Sequence, residues 1–150
     1  MFEISDKLKY FNSMLSEIDN LYQKLLLTIN ISESEFIVLF ALLELGEGCS
    51  QKDIAENRYI NKKTINSAIK KLQKEGYISL KAGKYPHMNI YLTDDGKKYI
   101  QDKVIPIIKV ENDALENLPD EEFGMLLGCY EKHMSNFRNK VTEFSKAIKK

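Results

Sequence analysis

Ser50 to Thr93 reads SQKDIAENRYINKKTINSAIKKLQKEGYISLKAGKYPHMNIYLT, a pattern of two short helices followed by a small β-hairpin. Ser50, with Asp53 three residues on, caps a helix that turns Ile54 and Ala55 inward, and after a turn over Arg58 to Ile60, Asn61 caps a second helix ending at Gly76. The strands follow at Tyr77 to Leu80 and Met88 to Leu92, around a turn from Gly83 to Pro86. Between Arg58 and Lys74 stand six basic residues and no acid. That asymmetry points to a polyanion, most simply duplex DNA.

The rest of the chain makes this local excess conspicuous. The 150 residues are formally neutral, yet the middle third, residues 50–100, carries +6 against −5 before it and −1 after it. A mixed solvated surface would intersperse both signs. Upstream, Ser32 and Glu35 form a capping box opening a helix through FIVLFALLEL that stops at Gly46. Downstream, Thr93 caps a further long helix that Pro106 kinks or breaks, and Leu118-Pro119-Asp120 starts the last one, with acids at the positive end of its dipole. The two ends are long amphipathic helices. Leu8, Phe11, Leu15, Ile18, Tyr22, Leu25 and Ile29 alternate gaps of three and four, as do Phe123, Leu127, Tyr130, Met134, Phe137, Val141, Phe144 and Ile148. Such seams suit pairing with a second copy of the chain.

Composition excludes several classes. Charged residues at 29% and hydrophobic ones at 43% are values of a folded globular chain. The longest apolar run, Phe36 to Leu43, is far short of the roughly 20 residues needed to span a bilayer, so no membrane partner is expected. The start, MFEISDKLKY, has no secretory pattern, and a cytoplasmic location with Cys49 and Cys129 reduced follows as the expectation. Two histidines, no phosphate-cradling glycine loop and no nucleophile elbow argue against an enzyme, and no cofactor is expected.

On the helix from Asn61 to Glu75, Ile65, Ala68, Ile69 and Leu72 share one face. The opposite face carries Lys63, Ser67, Lys70 and Lys74, flanked by Asn66 and Lys71. A helix of this kind fits the major groove, with Lys63, Asn66 and Ser67 reading bases and Lys70, Lys71 and Lys74 gripping phosphates. Ser50, Gln51 and Lys52 stand at a helix N-terminus suited to a phosphate, although Ser50 serves equally as a plain cap. Lys81, Lys84 and His87 form a basic hairpin tip that can reach a minor groove or the backbone.

The order of elements, with KDIAENRYINKKTINSAIKKLQKEGYI and the later IYLTDDGKKYI, resembles the MarR family of bacterial winged-helix transcription regulators. Its most specific parts are Thr64-Ile65 to Leu72 to Gly76-Tyr77-Ile78, and the Leu92-Thr93-x-x-Gly96 closing the wing. The resemblance implies a mainly α (α+β) fold in one domain over 1–150. A winged helix-turn-helix DNA-binding lobe occupies 32–97, and long dimerisation helices occupy 1–30 and 98–150. It further implies a homodimer on a pseudo-palindromic operator, commonly a repressor and often released by a small lipophilic or phenolic ligand. Asn61, Lys62 and Thr64 join the DNA-facing set on these grounds. The departure is the wing, where Lys84-Tyr85-Pro86 replaces the family's Asp-x-Arg, so no wing arginine carries over.

Tyr10, Met14, Phe36, Phe40 and Tyr59 are the candidates for lining an effector space, against their alternative as ordinary core residues. Cys49, near a helix N-terminus that favours thiolate, is a candidate oxidation switch, with an inert buried thiol as the plainer reading. Cys129 and His133 share a helix face, but two ligands fall short of a zinc site, and no metal is expected. The rival to DNA binding is a winged helix that docks a protein, which would place apolar residues on the outer helix face.

Overall fold

A computed structural model describes residues 3–83 and 88–148. The chain divides into two compact units, Met1–Ile107 and Ile108–Lys150.

The first unit opens with α1, Asp6–Ile29, capped by the Ser5 hydroxyl accepting from the Leu8 amide at 3.3 Å. It ends at Asn30, whose left-handed conformation (φ 54°) stops the helix. Ser32 then opens α2, Glu33–Leu45, through the expected capping box, and Gly46 at φ 87° closes it. This helix is apolar nearly all round and is the centre of the core, with Val38, Leu39, Ala41 and Leu42 buried. The expected caps Ser50 and Asn61 start α3, Gln51–Arg58, and α4, Lys62–Lys74. Ile54 of α3 and Ile65, Ala68, Ile69 and Leu72 of α4 complete the core against α2.

The hairpin follows as β1, Ile78–Ala82, paired antiparallel with β2, Met88–Leu92, in the register Ile78↔Leu92, Leu80↔Ile90 and Ala82↔Met88. β1 runs two residues beyond the predicted Leu80, since Lys81 and Ala82 keep partners across the ladder. The expected turn lies largely outside the described residues. A third segment laces onto this ladder: Ser50 bridges Asn89, the Gly48 amide donates to the Ile90 carbonyl at 2.8 Å, and the Ile90 amide donates to Cys49 at 3.0 Å.

Thr93 caps α5, Asp94–Tyr99, as its sequence predicts, by accepting from the Gly96 amide at 3.0 Å. The irregularity expected at Pro106 falls just upstream of it. Ile100–Val104 is a π-helical segment, and the Ile105 amide reaches back to the Ile100 carbonyl. A proline ring in a regular helix clashes with the carbonyl four residues earlier; widening the preceding turn is one way a helix passes such a site. The helix then resumes as α6, Ile105–Glu116, and Ile100, Val104 and Ile107 are buried in the first unit.

The second unit holds most of α6 and then α7, Asp120–Ile148, 29 residues that start just after Pro119, as the sequence predicts. Its apolar seam is present as an unbroken helical stripe, and no residue of α7 is buried in the single chain. On α1, Leu26 alone is buried, while Leu8, Ile18 and Tyr22 of the stripe are exposed. Among the described residues no single helix is long and apolar enough to cross a membrane; α1 and α2 together approach that composition but meet at an 89° bend.

Candidate nucleic-acid interface

The outer face of α4 is built by the burial of the inner one. With Ile65, Ala68, Ile69 and Leu72 inside, Lys62, Lys63, Thr64, Ser67, Lys70 and Lys74 are exposed, and Asn66 is half-buried at the margin. Among the described residues Lys62, Lys63, Lys70 and Lys74 form no ion pair. Ser67 is exposed and donates its hydroxyl back to the Lys63 carbonyl at 3.0 Å, which leaves its oxygen able to accept. Asn61 is committed to its cap, its side-chain oxygen accepting from the Lys63 amide at 2.8 Å.

Two of the six basic residues are used differently from the sequence reading. Lys71, assigned to phosphate, donates at 2.8 Å to Glu35 of α2, and Arg58 pairs with Glu44 of the same helix while lying over the Phe40 ring at 4.6 Å. The run from Arg58 to Lys74 lacks acids only along the chain. In space α2 supplies them, from 14 and 36 residues away.

Glu35 is 2% exposed and is a structural centre that the sequence marked only as half of a capping box. Its Oε2 accepts from the Ser32 amide, the Ser32 hydroxyl and the Lys71 ammonium. Burial by itself would raise its pKa, but the hydrogen bonds from Lys71 and Ser32 outweigh that and hold the carboxyl below its ordinary value. Lys71 is correspondingly pushed above the usual lysine value, chiefly by the hydrogen bond to Glu35.

Beside α4, Gln51 donates to the Lys62 carbonyl at 2.7 Å and so ties the start of α3 to the start of α4. Ser50 is buried and its hydroxyl and amide both meet Asp53, which makes it the cap of α3 and withdraws it from solvent. Lys52 is exposed and approaches Glu56 at 3.8 Å. In the wing Lys81 lies over the Tyr91 ring at 4.7 Å; Lys84 and His87 lie outside the described residues.

The effector-lining candidates do not share one lining in the single chain. Phe36 and Phe40 pack together, with ring centroids 5.8 Å apart, whereas Tyr10 and Tyr59 are 71% and 96% exposed and Met14 is exposed as well. At Cys49, burial and then the Asp53 carboxylate raise the thiol pKa, which disfavours the thiolate that an oxidation switch needs. Among the described residues no group of three metal-ligating side chains comes together, and His133 stacks against Phe137.

A short helix, a turn, a second helix with a buried inner and basic outer face, and a hairpin laced to the first helix together define a winged helix-turn-helix. Residues 29–84 match the profile of the MarR family. NMB1585, a MarR family regulator from Neisseria meningitidis, superposes with a TM-score of 0.81 at 20% identity, covering 93% of this chain and 99% of its own. MepR of S. aureus, solved as a DNA complex, gives 0.69 at 22% identity over 90% and 99% of the two chains. PcaV from Streptomyces coelicolor, solved with its natural ligand, gives 0.69 at 16% over 89% and 98%. No curated protein sequence matches the chain. Residues 29–84 thus match the MarR family profile, and the chain as a whole has the fold of solved MarR family regulators.

Proposed function

We propose that the protein is a DNA-binding transcription regulator of the bacterial cytoplasm, a homodimeric repressor that places one α4 per subunit in successive major grooves of a pseudo-palindromic operator. The observation that carries this reading is the outer face of α4. Among the described residues its four lysines form no ion pair, and it presents no exposed apolar side chain. A protein-docking winged helix would need apolar anchors there, so that alternative is disfavoured. Lys63, Thr64, Asn66 and Ser67 stand at the N-terminal half of the helix, where side chains meet base edges, and Lys62, Lys70 and Lys74 are placed for phosphates. Lys52 and Lys81 add backbone contacts, and the same role is assigned to Lys84 and His87, which lie outside the described residues.

Dimerisation rests on the exposed apolar stripes of α1 and α7, which a chain in isolation leaves in water. A small lipophilic effector is the finer part of the proposal. PcaV, which shares the fold, was solved with a ligand, and aromatic side chains such as Phe36 and Phe40 are present here. Such a ligand would release the operator by binding better to a dimer whose recognition helices are misplaced.

The test is selection of bound fragments from sheared source DNA, then anisotropy titration of the best fragment and a scrambled control at two salt concentrations. A fragment preferred by about 10³-fold or more, bearing an inverted repeat and bound with steep salt dependence, is the expected result. Equal weak binding of both fragments would remove the operator reading. Sedimentation should give twice the 17.4 kDa chain mass; a stable single-chain species would remove the dimer.

A further inference from the structure

The turn between α3 and α4 holds a tyrosine where the backbone asks for glycine. Tyr59 has φ 53° and ψ 35°, the left-handed conformation, and its amide donates to the Ala55 carbonyl as the C-cap of α3. A bulky residue in that region is an outlier whose cost must be offset elsewhere, and the turn of such helix pairs often contains glycine. Packing does not offset it, because Tyr59 is 96% exposed. Neither does hydrogen bonding, since the cap uses only the backbone, which glycine would supply equally.

We infer that Tyr59 contacts the sugar-phosphate backbone of bound DNA, its phenol donating a hydrogen bond to a phosphate oxygen beside the groove that α4 enters. The inference rests on the DNA-binding reading above and deepens it by adding a residue that the basic-face argument passes over. When α4 lies in the major groove, α3 crosses the backbone, so the turn joining them stands at the strand that borders the groove. Tyr59 precedes the Asn61 cap by two residues and Lys62 by three, and the side chain leaves the turn into solvent. Tyrosine hydroxyls are among the groups that fix a protein's register through phosphates. A phenol brings no cation, so this contact releases no counterion; it contributes affinity without adding to the salt slope.

The experiment compares wild type, Tyr59→Phe, Tyr59→Gly and Lys70→Ala by anisotropy on the selected fragment and on the scrambled duplex, at several salt concentrations, with thermal melts of each. Tyr59→Phe should weaken both duplexes by about the same factor, about 10-fold or more for one lost hydrogen bond to a charged acceptor, with an unchanged salt slope. Tyr59→Gly should bind at least as weakly, yet melt no lower than wild type, because glycine relieves the left-handed strain. Lys70→Ala should instead flatten the slope by about one. Wild-type affinity in Tyr59→Phe overturns the phosphate contact, and a lowered melting temperature in Tyr59→Gly shows that the residue serves the fold instead. If Lys70→Ala weakens binding while both Tyr59 variants do not, the inference fails and the DNA-binding reading stands; if the wild type binds neither duplex, both fall.

Discussion

Replacing Gly96 with alanine adds one methyl group and should cost about as much as truncating a core side chain. A Cβ built at Gly96 falls 1.9 Å from the Tyr77 carbonyl oxygen and 2.8 Å from its carbon, both backbone atoms, where ordinary contact begins near 3.4 Å. One of the two segments must therefore retreat by about 1.5 Å, and neither can do so by turning a side chain. The approach is fixed by two hydrogen bonds. The Thr93 amide donates to Tyr77 at 3.0 Å and the Thr93 hydroxyl donates to the Gly76 carbonyl at 2.6 Å, stitching the start of α5 to the end of α4. Overpacking costs about 1–3 kcal/mol when side chains can adjust, and a backbone clash belongs at the upper end, about 3 kcal/mol. For a domain of this size each kcal/mol moves the melting temperature by about 2–4 °C, so Gly96→Ala should melt about 6–12 °C lower. Gly124→Ala in α7 is the contrasting case. Nothing lies within 4 Å of the added atom, and removing a helix-interior glycine stabilises by about 0.5–1 kcal/mol. Differential scanning calorimetry of the two variants should show shifts of opposite sign. A Gly96→Ala protein melting within about 1 °C of wild type would refute the close approach and the sign argument with it.

Other outcomes follow from the same geometry. Glu35 has its pKa depressed in the fold, so its contribution is complete above the ordinary carboxylate value of 4.5 and is lost as pH falls through the lower folded value. Glu35→Gln should accordingly melt below wild type at pH 7 and converge with it in stronger acid, as read by circular dichroism melts across pH. Asn66→Ala should relax sequence choice at one operator position while leaving scrambled DNA almost unaffected; equal loss on both would contradict base reading. Lys71→Ala should change the salt slope less than Lys70→Ala, because Lys71 is already neutralised by Glu35. Cys49, half-buried with a raised pKa, should react with iodoacetamide more slowly than exposed Cys129, measured by mass spectrometry of the labelled peptides.

What could be read from the chain and what could not divide along sequence distance. Ser32 with Glu35, Ser50 with Asp53, Asn61 and Thr93 are caps whose donors lie within three residues, and each forms as its local chemistry dictates. The inner face of α4 follows from helical spacing alone. Arg58 and Lys71 follow from nothing local, since the acids that engage them belong to α2 and meet them only after the helices pack. The same holds for the lacing of residues 48–50 onto β2, which no alternation in that glycine-flanked stretch announces. Pro106 correctly marked a disturbed helix, but a proline constrains the turn before it, and the π-helical segment begins at Ile100. Composition cannot distinguish an aromatic that packs from one held outside by a left-handed backbone, as Tyr59 is.

The lacing also bears on the thermodynamics of binding. Because Gly48 and Cys49 hold Ile90 through paired backbone hydrogen bonds, the base of the wing and the first turn of α3 are one body. Surfaces that dock together without being ordered at the moment of docking spare the complex a separate immobilisation cost for each. A wing hung on a free hinge would lose that freedom on every encounter with DNA. Here the loss has been taken during folding, and on the proposed function wing and helix would meet the duplex already ordered relative to each other.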